Sequence, residues 1–393
     1  MVQRRSLFSP FLCILLCIVA ILVLPRFVPQ DNDEPSKRRS FPCAYPCPCP
    51  LPSVHEGALS PRVRLAYYSN GLFSLSTNVV TNPLGLSDLR ARHPEDPWEV
   101  VNLAMLTKRP QAAWVGSYVH DLSNAWSTLP DAYHRSDRVV VWCPKDRVER
   151  FGLPVLVKTR IGETDPCAST SAASNVAQCG LGSILFKLNS RRHFAPMLDM
   201  QHVPPTPWSR KRACVVWRGK ATGYGFGNNI PPRGASRETL VRRWQHAGSP
   251  LVDVGLVGMA SPSPIFSSSK PTLTMADMCA YRYILSVEGN DVATNLKWIM
   301  ASDSVLFMPR PHITSWFMED RLQPWVHYVP VRDDFEDLEA RVRWAEAHPH
   351  VCQRIVANCH AWVAVFADEA SERRLCAQLL QWYLDAFRWT ETN

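Results

Sequence analysis

Residues 283–311, YILSVEGNDVATNLKWIMASDSVLFMPRP, hold the pattern that most restricts how this chain can fold. Tyr283 to Val287 and Ser304 to Met308 are short apolar runs of strand character. Between them Glu288, Gly289, Asn290 and Asp291 precede about ten residues that read as helix. Strand, polar glycine turn, helix and strand make a parallel βαβ unit, because parallel neighbours need a crossover rather than a hairpin. The turn then falls at the carboxyl end of the first strand, where open α/β sheets hold their ligands.

The rest of the chain repeats this alternation. In the first half VRLAYYS and AAWVGSYV read as strands and PWEVVNLAMLTK between them as a helix. DRVVVWCPKD is the strongest strand there, LPVLVK follows, and GSILFKLN closes the region. Pro204, Pro205 and Pro207 interrupt the pattern as an interdomain linker would. A second set follows: the strand ACVVWRG, a helix near SRETLVRRWQHA, the strand LVDVGL, the βαβ unit, VHYVPV and three closing helices. The expectation is two α/β domains with a cleft between them. Residues 61–203 form an N-terminal domain, 204–368 a C-terminal domain, and 369–393 a last helix.

The N-terminus carries an address. Arg4 and Arg5 precede an uncharged stretch from Ser6 to Pro25, and about 20 such residues cross a bilayer as a helix. No small-x-small cleavage site follows, so residues 1–27 read as a cytoplasmic tip and uncleaved signal anchor. Residues 28–60, rich in Pro, Asp, Ser and basic residues, read as a stem. This predicts a single-pass type II protein of the Golgi or endoplasmic reticulum with its folded mass in the lumen. Thirteen cysteines, of which Cys13 and Cys17 lie in the apolar stretch, predict some disulfides in that compartment. A hydrophobic content of 46% with fourteen Trp excludes general disorder. The net charge of +8 suits anionic ligands but is not gathered into the stripe a nucleic-acid binder shows, so no nucleic-acid partner is expected.

Two loops stand out as sites. WRGKATGYGFGNN follows a strand directly; Gly219, Gly223, Gly225 and Gly227 free its backbone to approach a ligand, and Arg218 and Lys220 bring positive charge. That suits a diphosphate, although an ordinary βα loop has the same spacing. In the opening stretch Glu288 would suit sugar or ribose hydroxyls. Asn290, Asn295 and Lys297 gather by the helix start, where free N–H groups favour phosphate oxygens. The plainer alternative has Glu288 and Asp291 capping the helix. DDFEDLEARVRWAEAHP reads as a solvated helix start, Cys352 and Cys359 as a disulfide or core pair, and His193 has no assigned role. No GxSxG elbow and no HExxH is present, and no pair of carboxylates singles out a glycoside hydrolase.

Taken together, WRGKATG, YRYILSVEGNDVATNLKWIMASDSVLFMP and TSWFMEDRLQPWVHYVPVRDDFEDLEARVRWAEAHP resemble glycosyltransferase family 90. The EGND and WFME wording is nearer its lipopolysaccharide-modifying branch than its protein O-glucosyltransferases. The resemblance implies a GT-B fold of two Rossmann-like domains. It further implies inverting, metal-independent transfer of a sugar, glucose or xylose, from a nucleotide donor, most often UDP-linked, to a hydroxyl of a glycan, glycolipid or glycoprotein. No cofactor is implied beyond the nucleotide sugar as co-substrate.

By the same resemblance Arg218 and Gly219 match the aromatic-Arg-Gly loop, Arg237 an arginine on the donor phosphates, and Gly289 and Lys297 the helix-start motif. Asn295 departs from the family, many members of which have Arg there. Asp146, just past the strand RVVVWC, is implied as the catalytic base, with Asp121 in reserve. The rival expectation is a non-catalytic carbohydrate-binding or scaffolding protein that kept the fold.

Overall fold

The computed structural model describes residues 59–69, 84–85, 90, 98–103, 113–134, 138–144, 146, 148, 154–162, 182–223, 235–258, 269–387 and 389–390. All of them belong to one unit, Leu51–Asn393. The expected anchor, the stem up to residue 58, Gly225 and Gly227 lie outside the described residues. Among the described residues no helix is long and apolar enough to cross a membrane.

The strands in chain order are β1 (Leu84–Gly85), β2 (Glu99–Asn102), β3 (Val139–Cys143), β4 (Val155–Val157), β5 (Thr159–Ile161), β6 (Ser183–Leu185), β7 (Arg212–Gly219), β8 (Val252–Leu256), β9 (Tyr281–Leu285), β10 (Val305–Met308), β11 (Ile313–Ser315), β12 (Val329–Pro330) and β13 (Trp389–Thr390). The helices used below are α1 (Pro61–Tyr68), α2 (Ala113–Ser127), α3 (Ser190–His193), α4 (Ala195–Asp199), α5 (Arg237–Trp244), α6 (Met275–Cys279), α7 (Leu296–Met300), α8 (Leu338–Ala347), α9 (Pro349–Ala367) and α10 (Glu369–Ala386).

Two sheets organise the chain. The first has the order β2-β3-β4-β6, with β3, β4 and β6 parallel and β2 an antiparallel edge. The second is wholly parallel with the order β12-β10-β9-β7-β8. Its central strands are near-continuous apolar runs, Val215 to Trp217 and Val305 to Met308 being buried, as a sheet covered on both faces requires. Counted from β7, this is the doubly wound 2-1-3-4-5 order, whose reversal point lies between the first and third strands. That point is the crevice between β7 and β9. Both expected ligand loops leave it, one after Gly219 and one after Leu285.

The C-terminal half carries the elements expected of it, including α5 and the three closing helices α8, α9 and α10, and adds α6 and β11; α7 runs five residues where about ten were expected. The first half corrects three expectations. VRLAYYS is α1, opened by Pro61 at its first turn, and AAWVGSYV begins α2. Tyr118, Leu122 and Ala125 of α2 are buried at helical spacing, a period visible only beyond the eight-residue window that looked like a strand. PWEVVN is β2 rather than helix; its pairing with Val139 to Trp142 supplies backbone partners that local propensity does not reveal.

The halves are joined by backbone. β5 directly follows β4 of the first sheet, yet it pairs antiparallel with β11 of the second half. The Arg160 guanidinium donates to the carbonyls of Tyr67, Tyr68 and Ser183, and Tyr67 donates its hydroxyl to Asp320 at 2.5 Å. Helix α10 returns to the first half: Glu372 pairs with Arg64 at 2.6 Å, and the Tyr383 hydroxyl donates to the Pro154 carbonyl.

Candidate donor and base site

Two glycine loops face each other across the β7/β9 crevice. Asn290 accepts a hydrogen bond from the Gly223 N–H at 2.9 Å. Gly223 has φ +95°, and a Cβ there would lie 2.9 Å from the Gly289 carbonyl oxygen. A Cβ on Gly289 would in turn lie 2.9 Å from Thr222 Oγ1 and 3.0 Å from the Arg237 guanidinium. Only glycine allows both the backbone angle and the approach. Arg237, at the start of α5, holds the two loops together by donating to the Val287 and Lys220 carbonyls and to Thr222 Oγ1. Burial, with the like charge of Arg192, pushes its pKa down to about 10.

Four of the residues expected at the donor have partners within the protein. Arg218 turns along the sheet and grips Asp253 of β8 through both carboxylate oxygens at 2.9 Å. Gly219 is required by the Trp217 ring, which a Cβ would meet at 2.4 Å. Asn295 donates to the Leu285 carbonyl and accepts from the Ser286 hydroxyl, closing the end of β9. Lys297 is buried against Trp316 and Phe317 with its ammonium 2.6 Å from Glu319, both side chains 1% exposed. The helix α7 begins only at Leu296 and runs five residues, so neither its dipole nor a capping role accounts for the acids at 288 and 291. Lys220 is exposed.

Glu288 lines a cleft enclosing about 390 Å3 of non-protein space, part of it continuous with solvent, with Val292, Arg310 and His312 among its walls. One Glu288 oxygen accepts the backbone N–H groups of His312 and Ile313 at 3.0 and 2.9 Å, tying the turn to β11. Burial, reinforced by the charges of Glu319 and Asp291, lifts its pKa to about 8. Near neutral pH it therefore carries a proton and can donate to a ligand oxygen.

Asp146 lies beyond the carboxyl end of β3 and faces the same turn. Its Oδ1 accepts from the Tyr118 hydroxyl at 2.8 Å and from the Lys158 ammonium, while Oδ2 faces the half-exposed Arg192 at 3.5 Å. Lys158 also pairs with Asp291 Oδ2 at 2.5 Å. A buried lysine thus joins a carboxylate from each half of the chain. Burial works against ionisation of Asp146, but the Lys158 charge and hydrogen bond outweigh it and hold the carboxyl below the usual range. The same burial dominates at Asp291, which is raised. Asp121, the reserve candidate, is buried and accepts the backbone N–H (2.7 Å) and hydroxyl of Ser190, closing the start of α3.

The sequence reading missed Lys158, Tyr118 and Arg192, and placed Asp291 on the ligand turn, with a helix cap as the alternative. One signal was present: Lys158 interrupts the apolar run VLV before TRI, and a lysine in a buried strand region needs a partner. His193, left unassigned, is buried with neither ring nitrogen hydrogen-bonded, and burial holds it neutral. Cys352 and Cys359 are free thiols in the core, donating to the Ala345 and His327 carbonyls. Cys214, Cys279 and Cys376 are also free, so these five take no part in the disulfides expected of a lumenal protein.

The model of glycosyl transferase family 90 matches residues 187–386. The chain belongs to that family. O-glucosyltransferase LpsA of Dichelobacter nodosus is 38% identical over 191 residues, 48% of this chain and 54% of that protein. Protein O-glucosyltransferase 2 of Danio rerio is 27% identical over 164 residues, 40% of this chain and 30% of that protein. Protein O-glucosyltransferase 3 of Homo sapiens is 32% identical over 112 residues, 27% of this chain and 21% of that protein. The chain therefore spans about half or less of the length of these relatives. The higher identity to a bacterial protein agrees with the branch expected from EGND and WFME. The family 90 match includes both glycine loops, Arg192 and Asp291, whereas Asp146 and Lys158 precede it.

Proposed function

We propose that this family 90 chain is an inverting glycosyltransferase that moves a sugar, glucose or xylose, from a UDP-linked donor to a hydroxyl of a glycan, glycolipid or glycoprotein. The observation that carries the reading is the convergence of Asp146, through Lys158, on the turn at Glu288 to Asp291. In this reaction the acceptor oxygen gives its proton to Asp146 and attacks the anomeric carbon. The bond from that carbon to the diphosphate breaks, and the nucleotide leaves with the electron pair. A single displacement inverts the anomeric centre. Arg237 and the exposed Arg192 and Lys220 are the cations available to the departing diphosphate. The protonated Glu288 serves a hydroxyl or carbonyl of the donor.

The two sheets, one wholly parallel and one parallel but for its edge strand β2, support a GT-B arrangement, with residues 61–203 on the acceptor side and 204–368 on the donor side. The apolar stretch Ser6 to Pro25 supports a type II anchor and a lumenal site in the Golgi or endoplasmic reticulum. The rival, a non-catalytic carbohydrate-binding protein, draws on the internal engagement of Arg218, Asn295 and Lys297. A panel of UDP- and GDP-sugars separates them, with binding and hydrolysis measured on the wild-type chain beside Asp146→Asn. Hydrolysis lost in the variant while binding persists supports transfer. Binding without turnover in either protein favours the rival.

A further inference from the structure

We infer that Lys158 is the positioning residue for the base, a strut between the two halves of the chain that holds Asp146 Oδ1 and turns its Oδ2 toward the acceptor. The inference rests on the transfer reading above and adds to it a residue outside the region that matches the family.

Lys158 stands at a corner of the chain. Val155 to Val157 before it are fixed in the first sheet, and Thr159 to Ile161 after it are fixed against β11 of the second half. Its backbone is thereby held by both halves of the chain, and its side chain is 1% exposed. The ammonium meets Asp146 Oδ1 from one half and Asp291 Oδ2 from the other, with the Tyr118 ring 5.9 Å away. Tyr118 on α2 donates to the same Oδ1. Both donors thus load one oxygen, leaving Oδ2, beside Arg192 of α3, as the oxygen open to a hydroxyl. The Asp146 side chain is 25% exposed, so the carboxylate is not sealed from solvent.

Asp291 completes the device. When Asp146 takes the acceptor's proton it becomes neutral, and Lys158 would be a buried cation without a counter-charge. Asp291 stays paired with it throughout, so the ammonium never has to lose its proton. The groups facing the pair are Tyr118 from α2, Arg192 and the neutral His193 from α3, and Asp291 from the donor-side turn.

The experiment compares wild type with Lys158→Met, Lys158→Arg and the double variant Lys158→Met/Asp291→Asn. The double variant removes the second buried carboxylate in case the single one does not fold. Two readouts are taken: the pH profile of kcat/KM for donor hydrolysis or transfer, and the carboxyl 13C titration of Asp146, assigned with Asp146→Asn. The expectation in Lys158→Met and in the double variant is an Asp146 titration raised by about one pH unit or more, with the acid limb of kcat/KM moving with it. The kcat at neutral pH should fall about 10- to 100-fold while donor KM stays within about threefold, and Lys158→Arg should recover part of the loss. An unchanged Asp146 titration in a folded variant overturns the inference. So does a loss confined to donor KM, which would make Lys158 a donor contact. If wild type turns over no donor, the transfer reading fails, while the titration still decides whether Lys158 governs Asp146.

Discussion

Single residues divide here into groups that face the cleft and groups that brace it, and the division differs from the one charge type suggests. Asp146→Asn should lower kcat by about 10²- to 10⁴-fold, the usual share of a general base, with donor affinity retained; steady-state kinetics beside donor calorimetry would check this. Lys297→Met should act differently. It leaves Glu319 buried without its cation, which costs about 3–5 kcal/mol. Urea unfolding should show that loss, and Lys297→Met/Glu319→Gln should recover much of it. Glu288 predicts a pH effect of opposite sense to that of Asp146. Its pKa is raised to about 8 in the fold, so its protonated form stabilises the native state at low pH. That contribution is lost as pH rises through about 8. Donor binding should weaken over the same interval, and Glu288→Gln should flatten the dependence in a titration followed by calorimetry.

At the scale of elements, the two glycine loops are one unit made of parts from distant sequence. Gly223→Ala combines a left-handed backbone angle with a clash against Gly289, so it should cost about 1–3 kcal/mol and spread the crevice. The measurement is paired: thermal unfolding for the first effect and donor affinity for the second. A variant that loses stability with affinity unchanged would separate the crevice from the donor site. The C-terminal elements were legible because each satisfies a local rule. β7, β9 and β10 are apolar runs too short for helices, and Ser236 begins α5 by accepting the Thr239 N–H. The first half was less legible because α1 and the start of α2 look like strands over eight residues, and β2 exists by virtue of its partner.

Over the whole molecule, the β5–β11 pair, the Lys158 bridge and the return of α10 tie the halves together. Thermal unfolding should accordingly be a single cooperative transition, with calorimetric and van't Hoff enthalpies in agreement. Two resolved transitions would mean that each sheet folds by itself. The tie also sets Asp146 against the turn at Glu288 to Asp291, since its contacts lie within the folded chain.

What the sequence determined alone is local and periodic: an α/β chain, a parallel second half, glycine loops at strand ends and a family signature over that half. These follow from short-range rules of burial and turn geometry, each satisfied within a dozen residues. Which charges face the cleft was decided by tertiary structure. Arg218, Lys297 and Lys158 look alike as isolated cations near apolar runs, and only the placement of Asp253, Glu319, Asp146 and Asp291 gives each its duty. A charge in a low-dielectric interior takes its role from its nearest counter-charge, and here that partner lies 12 to 133 residues away along the chain.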